Sequence, residues 1–367
     1  MPARVERLTW RDIPLDAIDL PKAKLQLTLG LGSGLSSRGG RVFAVTDRGP
    51  NLFVSQAVDD YGLTHLEKLR GSDTKIMPMP DMGAEIAELA IEEAAVRLVR
   101  RMPLRVRTGK RLMGVALPGG EMEAVYDLDG AQLEPDVLGA DTEAVAAMPD
   151  GGFFVAEEYG PSILKVDADG VVTERWVAEG RVKALAHPDL LVSGFLPKRA
   201  GKRRRNRGFE GLCASEDGRH LYAGFQSALK GEDDRSAPIW KLDARTGELE
   251  EEYLYSFDKP SSFGRDAARR KLGADDLKIC ELAWAGKDKL VVLERISHTA
   301  KIYLVPLKKP AEKKLLISSD DHPEIGPDIE GMTLLSPTQI LISSDNDFGV
   351  EGAETGFWRV TLDKAIA

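Results

Sequence analysis

The chain has 367 residues, 43% apolar and 30% charged, which is enough for a sizeable core and a solvated surface. Acidic side chains outnumber basic ones 59 to 50, and the formal charge of −9 argues against non-specific binding to nucleic acid or anionic membrane while suiting cation binding. No apolar run approaches the ~20 residues a membrane helix needs.

The opening stretch carries Arg4, Glu6, Arg7 and Arg11 where a signal peptide would be apolar. The chain therefore reads as cytoplasmic, or as periplasmic or secreted if a leader has been removed. Cys213 and Cys280 lack C-x-x-C spacing and are expected as separate, reduced thiols. A single repetitive β domain over residues 1–367 is expected, because such architectures reach this length as one unit.

Taken in chain order, one unit recurs. It opens at Ser33-Gly34-Leu35, turns at Gly39-Gly40, and continues as Val42-Phe43-Ala44-Val45 to Asp47-Arg48. The glycine-rich Gly30-Leu31-Gly32-Ser33-Gly34 lacks the Lys-Ser/Thr of a phosphate loop and reads as a close-packed channel strand. Residues 84–101 are rich in Glu and Ala, yet Ala95-Val96-Arg97-Leu98-Val99 alternates, and strands are assigned there.

The frame returns four times with a glutamate in first place. Glu143 precedes the turn Asp150-Gly151 and a run to Glu157-Glu158; Glu210 precedes Asp217-Gly218 and a run to Gln226. Glu281 precedes Lys287-Asp288 and a run to Glu294-Arg295; Glu330 precedes Ser336-Pro337 and a run to Asp345-Asn346-Asp347. Each copy reads as two strands joined by a tight turn.

Such a repeat marks a β-propeller, whose blades take about 40–50 residues plus loops. The interval from Ser33 to Glu143 is the longest, so a degenerate blade is expected within about residues 74–120. The final strand Phe357-Trp358-Arg359-Val360-Thr361-Leu362 would share its blade with the N-terminal segment, closing the ring. The expected fold is all-β, a six-bladed β-propeller with a central metal-binding channel.

Inner strands line the channel, so Glu143, Glu210, Glu281 and Glu330 would converge there and repel one another. A cation must offset them. Calcium, with its 6–8 oxygen ligands and tolerant geometry, suits such a ring better than zinc or copper. Only five histidines are present, none paired at ligand spacing.

The second cluster of each unit falls at the strand's outgoing end, where Asp47, Asp345 and Asn346 are further candidate metal ligands. Arg48 and Arg295 could hold an anionic substrate, since guanidinium matches phosphate or carboxylate oxygens. The loop 198–207 is basic at seven of ten positions and is either a solvated loop or a recruiter of anions. No G-x-S-x-G elbow supports a serine nucleophile.

Together, Thr46-Asp47-Arg48-Gly49, Asp141-Thr142-Glu143-Ala144, Glu157-Glu158-Tyr159-Gly160-Pro161-Ser162, Asn206-Arg207-Gly208-Phe209-Glu210-Gly211-Leu212, Cys280-Glu281-Leu282 with Leu293-Glu294-Arg295, and Asp328-Ile329-Glu330-Gly331 with Ser344-Asp345-Asn346-Asp347 resemble the phytase-like family, described as having esterase-like activity of phytase. The resemblance spans about residues 25–362.

It implies a β-propeller and a calcium-dependent hydrolase of phosphate esters or small activated esters, acting as a monomer on a small-molecule ester, anionic or not. Under that implication Glu157 or Glu294 is the expected general base. Similar channel-metal propellers include lactonases and phosphotriesterases, and a non-catalytic, metal-braced propeller that binds a protein or peptide is the rival class.

Overall fold

The computed structural model describes residues 3–71, 74–308 and 312–366. It is all-β, with a few short helical turns. Sheet 1 comprises Gly34–Arg38, Arg41–Val45, Glu85–Ile91 and Val96–Pro103; sheet 2 comprises Thr142–Ala147, Phe153–Glu157, Ser162–Val166 and Val172–Ala178, with Leu191–Leu196 added in parallel. Sheet 3 comprises Phe209–Ala214, His220–Phe225, Ser236–Asp243 and Leu249–Ser256; sheet 4 comprises Lys278–Gly286, Lys289–Arg295, Ala300–Pro306 and Lys314–Ser318. Sheet 5 comprises Ile329–Ser336, Gln339–Ser344 and Phe357–Leu362, and its outermost strand is Ala3–Leu8, paired from Ala3 opposite Leu362 to Leu8 opposite Phe357. The two chain ends thus meet in one sheet, as the sequence suggests.

The hairpins form where the sequence carries turn residues. Gly39 and Gly40 both have positive φ, 59° and 77°, the conformation a two-residue hairpin turn demands at both central positions. Lys287 and Asp288 adopt the same conformation without glycine.

Neighbouring sheets bury apolar layers between them. Phe154 and Trp176 of sheet 2 pack with Phe209, Phe225 and Trp240 of sheet 3. Corresponding layers join sheets 1 and 2, 3 and 4, and 4 and 5, while Leu341 and Phe357 of sheet 5 meet Leu35 and Ala44 of sheet 1. The first strands touch in the same cyclic order, so the sheets close a ring of β-propeller type.

The sixth blade expected within residues 74–120 is not formed. The strands assigned near residues 84–101 do exist, as Glu85–Ile91 and Val96–Pro103, but they pair onto Arg41–Val45 and complete sheet 1. The long interval is instead filled by a side layer. Leu52–Phe53, Thr74–Ile76 and Ala124–Tyr126 make a small sheet that packs, with the helix Val54–Asp59, against Leu25, Leu27 and Val350.

Near the axis the first strands approach too closely for side chains. A Cβ at Gly34 would lie 2.5 Å from the Glu143 carbonyl oxygen, and one at Gly331 would lie 2.8 Å from the carbonyl oxygen of Gly32. The glycine-rich segment is close-packed, but only Gly34 belongs to a strand; residues 30–33 lead into it as irregular chain and not as the channel strand the sequence suggests.

Candidate metal centre

A β-bulge at the start of the first strand re-aims one residue in four sheets. Thr142 pairs with Glu157 and Ala144 with Ala156, leaving Glu143 unpaired. Glu210 and Glu330 are displaced in the same way. In sheet 4, Ile279 pairs with Glu294 and Glu281 with Leu293, so the displaced residue is Cys280. Bulges of this kind redirect side chains beside active sites. The structurally equivalent positions are Ser33, Glu143, Glu210, Cys280 and Glu330.

Residues at or just beyond the ends of the second strands form a companion set: Asp47, Glu158, Gln226, Arg295 and Asp345. The two sets touch. Ser33 Oγ donates to Asp345 Oδ2 at 3.1 Å, Gln226 donates to Glu210, and Arg295 reaches Glu330 and, at 3.1 Å, Asp328. Arg295 Nε also lies 3.0 Å from the Cys280 sulfur.

Two carboxylate trios result. Asp47, Asp345 and Asp347 form one, and Asp141, Glu143 and Glu158 the other, each with oxygens within 4.8 Å of one another. Two oxygens each ~2.4 Å from one calcium ion can be at most ~4.8 Å apart, so either trio fits this hard cation. Glu210, whose charge acts with those of Glu143, Glu158 and Glu330, is buried, and its Oε2 has no hydrogen-bond partner among the described residues.

Burial and mutual repulsion push these acids upward. For Glu143 burial is the largest cause, followed by the charges of Glu210, Asp141, Glu158 and Glu330. Asp47 and Asp345 are likewise pushed well up by burial, then by neighbouring acids. Burial and then Asp141 push Glu158 up to about 8, although Arg203 and Arg48 oppose this. Desolvation and then Glu330 push Asp347 up to about 6. Such a site stores repulsion that a bound cation would relieve.

Four residues expected at the site lie elsewhere. Glu281 falls one residue out of register, and its carboxylate accepts N–H donors from Leu35 at 2.9 Å, Leu212 at 3.2 Å and Leu282 at 2.9 Å. It plugs the space that Gly34 leaves open, whose Cβ would lie 3.1 Å from it. Asn346 is fully buried, donates to Thr28 Oγ1 and the Leu29 carbonyl, and accepts from Phe348 N–H; its neighbour Asp347 joins the trio instead.

Glu157 is also turned away, because successive strand residues face opposite sides. It accepts from Tyr159 N–H at 2.8 Å, Gly160 N–H at 2.9 Å and Ser162 Oγ at 2.6 Å, and so holds its own turn. Glu294 lies between sheets 3 and 4, where Tyr255, Lys313 and the Asp258 N–H occupy its oxygens at 2.5, 2.6 and 2.8 Å. Both carboxylates are thus engaged in holding local structure, with three donors each.

Arg48 and Arg295 do border the mouth, but both are buried and engaged. Arg48 Nη1 lies 3.2 Å from Glu123, 3.6 Å from Asp141 and 3.1 Å from the Tyr159 hydroxyl. In the basic loop, Arg203 donates to the carbonyls of Tyr159 and Glu121, and Arg204 pairs with Asp234, so these residues brace the loop.

Glu158 and Asp347 lie in the mouth clusters whose acids the sequence offers for further cations, without being chosen over Glu157 and Asn346, whereas Asp141 is not proposed as a ligand from the sequence. Strand parity offers the missing signal for Glu158: it sits in step with Asp47, Gln226 and Asp345, and Glu157 does not. At the opposite end of the first strands a cavity of about 430 Å³ lies beside Ser36, Cys213 and Trp284, with no trio of acids among the described residues. There Arg38 donates to the carbonyls of Ala147, Ser215 and Glu216.

A model of the phytase-like family, described as esterase-like activity of phytase, matches residues 28–348. The chain belongs to the phytase-like family. A curated relative is an uncharacterized secreted protein of Arthroderma benhamiae, 29% identical over 120 aligned positions, with 26% of this chain and 21% of that protein covered.

Among solved structures, this phytase-like chain is similar to the PQQ-bound aldose sugar dehydrogenase of Streptomyces coelicolor, at 11% identity and a TM-score of 0.39 over 99% of both chains. A luciferin-regenerating enzyme is similar at 11% identity and a TM-score of 0.38, over 99% of this chain and 97% of the other.

Proposed function

We propose that this protein is a calcium-dependent hydrolase of phosphate esters or small activated esters, working at the acidic mouth of the ring. The observation that carries this reading is the buried, unpartnered Glu210 Oε2, coupled in charge to Glu143 and Glu158 of one carboxylate trio, with a second trio at Asp47, Asp345 and Asp347. An all-oxygen donor set of this kind suits calcium, and membership of the phytase-like family supports an ester substrate.

Asp47, Asp345 and Asp347 would hold one cation, and Asp141, Glu143 and Glu158 would hold cation at the other trio. Bound calcium would polarise the ester or phosphoryl oxygen. Glu210 Oε2 is assigned as the general base that takes a proton from the attacking water, while Gln226 fixes the other oxygen of the same carboxylate. Arg48 and Arg295 hold the acids Asp141, Glu330 and Asp328 in place.

The test is turnover of p-nitrophenyl phosphate, bis(p-nitrophenyl) phosphate and p-nitrophenyl acetate, before and after chelation. Turnover should vanish with chelator and return with calcium. In Glu210→Gln, kcat should fall by about 10²-fold or more without rescue by excess calcium. Calcium binding with no turnover of any ester would reject the hydrolase in favour of a metal-braced binding module.

A further inference from the structure

The small sheet of the side layer presents one face to the acidic mouth. Phe53 pairs directly with Lys75, and Lys75 with Val125, so these three side chains share a face. Met77, two residues on from Lys75, crowds Gly114 together with the Arg48 carbonyl; a Cβ there would lie 2.6 Å from the Met77 methyl and 2.1 Å from that oxygen. Glu123, two residues before Val125, reaches Arg48 at 3.2 Å.

Lys75 and Lys278 are the cations near the acids without a hydrogen bond or ion pair among the described residues; Lys278 acts on Glu210, and Lys75, on this face, acts on Asp347. The Lys75 ammonium rests 3.4 Å from the centroid of the Phe53 ring. Burial lowers its pKa, while Glu123, Asp347 and Glu351 are near enough for their charges to act on it. Arg48 and Arg295 are already held by acids. Arg207 is bound to the carbonyls of Leu277 and Asp275. Phe53 itself is 43% exposed.

We propose that Lys75 is the receptor for a negatively charged group on the substrate, with the exposed Phe53 ring beside it packing against the substrate's organic part. This rests on the hydrolase reading above and narrows it to anionic esters, phosphate esters foremost. A cation–π contact at a solvent-reachable site is weaker than a charge-assisted hydrogen bond, so the ammonium can exchange the ring face for a phosphoryl oxygen. An anion approaching so many carboxylates needs compensating positive charge beyond the metal, and Lys75 supplies it where Asp347 meets the mouth.

The experiment compares calcium-loaded wild type with Lys75→Met, which keeps the stem over Phe53 and removes the charge, and with Lys75→Arg. It measures kcat and KM for p-nitrophenyl phosphate and p-nitrophenyl acetate, and the affinities for inorganic phosphate and for calcium by calorimetry. In Lys75→Met, KM for the phosphate ester and the Kd of inorganic phosphate should both rise by about tenfold or more. Acetate kinetics and calcium affinity should stay within about twofold, and Lys75→Arg should recover most of the loss.

Equal changes for the phosphate and acetate esters, or no change in either, would overturn the assignment of Lys75 while leaving the hydrolase standing. Wild type that binds calcium yet turns over neither ester would instead remove the reading on which the assignment rests.

Discussion

Calcium affinity should depend steeply on pH, because the ligands must shed protons to bind. Glu158 stands at about 8 in the metal-free fold, so at pH ~6 only about 1% of it is ionised, against about half at pH ~8. The trio of Asp141, Glu143 and Glu158 should therefore gain about 50-fold in calcium affinity across that range from Glu158 alone. Asp347, at about 6, adds only about twofold to the other trio over the same interval. The acids pushed well above their ordinary range, Glu143, Asp47 and Asp345, make these figures lower bounds.

The same shift acts on folding with the opposite sense. Glu158 titrates near its ordinary 4.5 when unfolded and near 8 when folded, so its contribution to stability is full below about 4.5 and is lost as pH rises through about 8. The chelated protein should melt at lower temperature as pH rises, and calcium should restore more stability at pH ~8 than at pH ~6. Calorimetric titrations at both pH values, in buffers of different ionisation enthalpy, measure affinity and proton release together. Affinity that is flat with pH, with no proton released, would refute the reasoning.

Two further substitutions separate structural acids from the site. Glu281→Ala should cost about 2–4 kcal/mol in urea unfolding, since three buried N–H groups lose their acceptor, while calcium affinity stays unchanged; a loss of affinity without a loss of stability would return Glu281 to the metal. Glu294→Gln should destabilise by about 1–3 kcal/mol through its contacts with Lys313 and Tyr255, yet leave kcat intact in the folded protein; a kcat loss at unchanged stability would restore it as the base.

Strands, hairpin turns and the sharing of one sheet by the first and last strands were legible in the sequence. Gly39-Gly40 and Asp217-Gly218 mark their hairpins because local φ preferences decide such turns, and the β-branched and apolar runs beside them mark buried strands. That Glu143, Glu210, Glu330, Asp47 and Asp345 would gather was legible too, since charge among apolar strand residues needs a compensating partner.

Register, partnership and sheet membership were decided only by the tertiary structure. Side chains alternate with a period of two, so one residue of slip exchanges Cys280 for Glu281 and Glu158 for Glu157. The bulges that set this slip arise from how the first and second strands pair, and no local motif announces them. Likewise Glu85–Ile91 and Val96–Pro103 are strands by their own composition, but their place at the edge of sheet 1 depends on Arg41–Val45, on the far side of the inserted side layer. Sequence fixes local conformation through short-range sterics, whereas the partner of each strand is chosen by which apolar faces can be buried together, a condition met only when the whole ring closes.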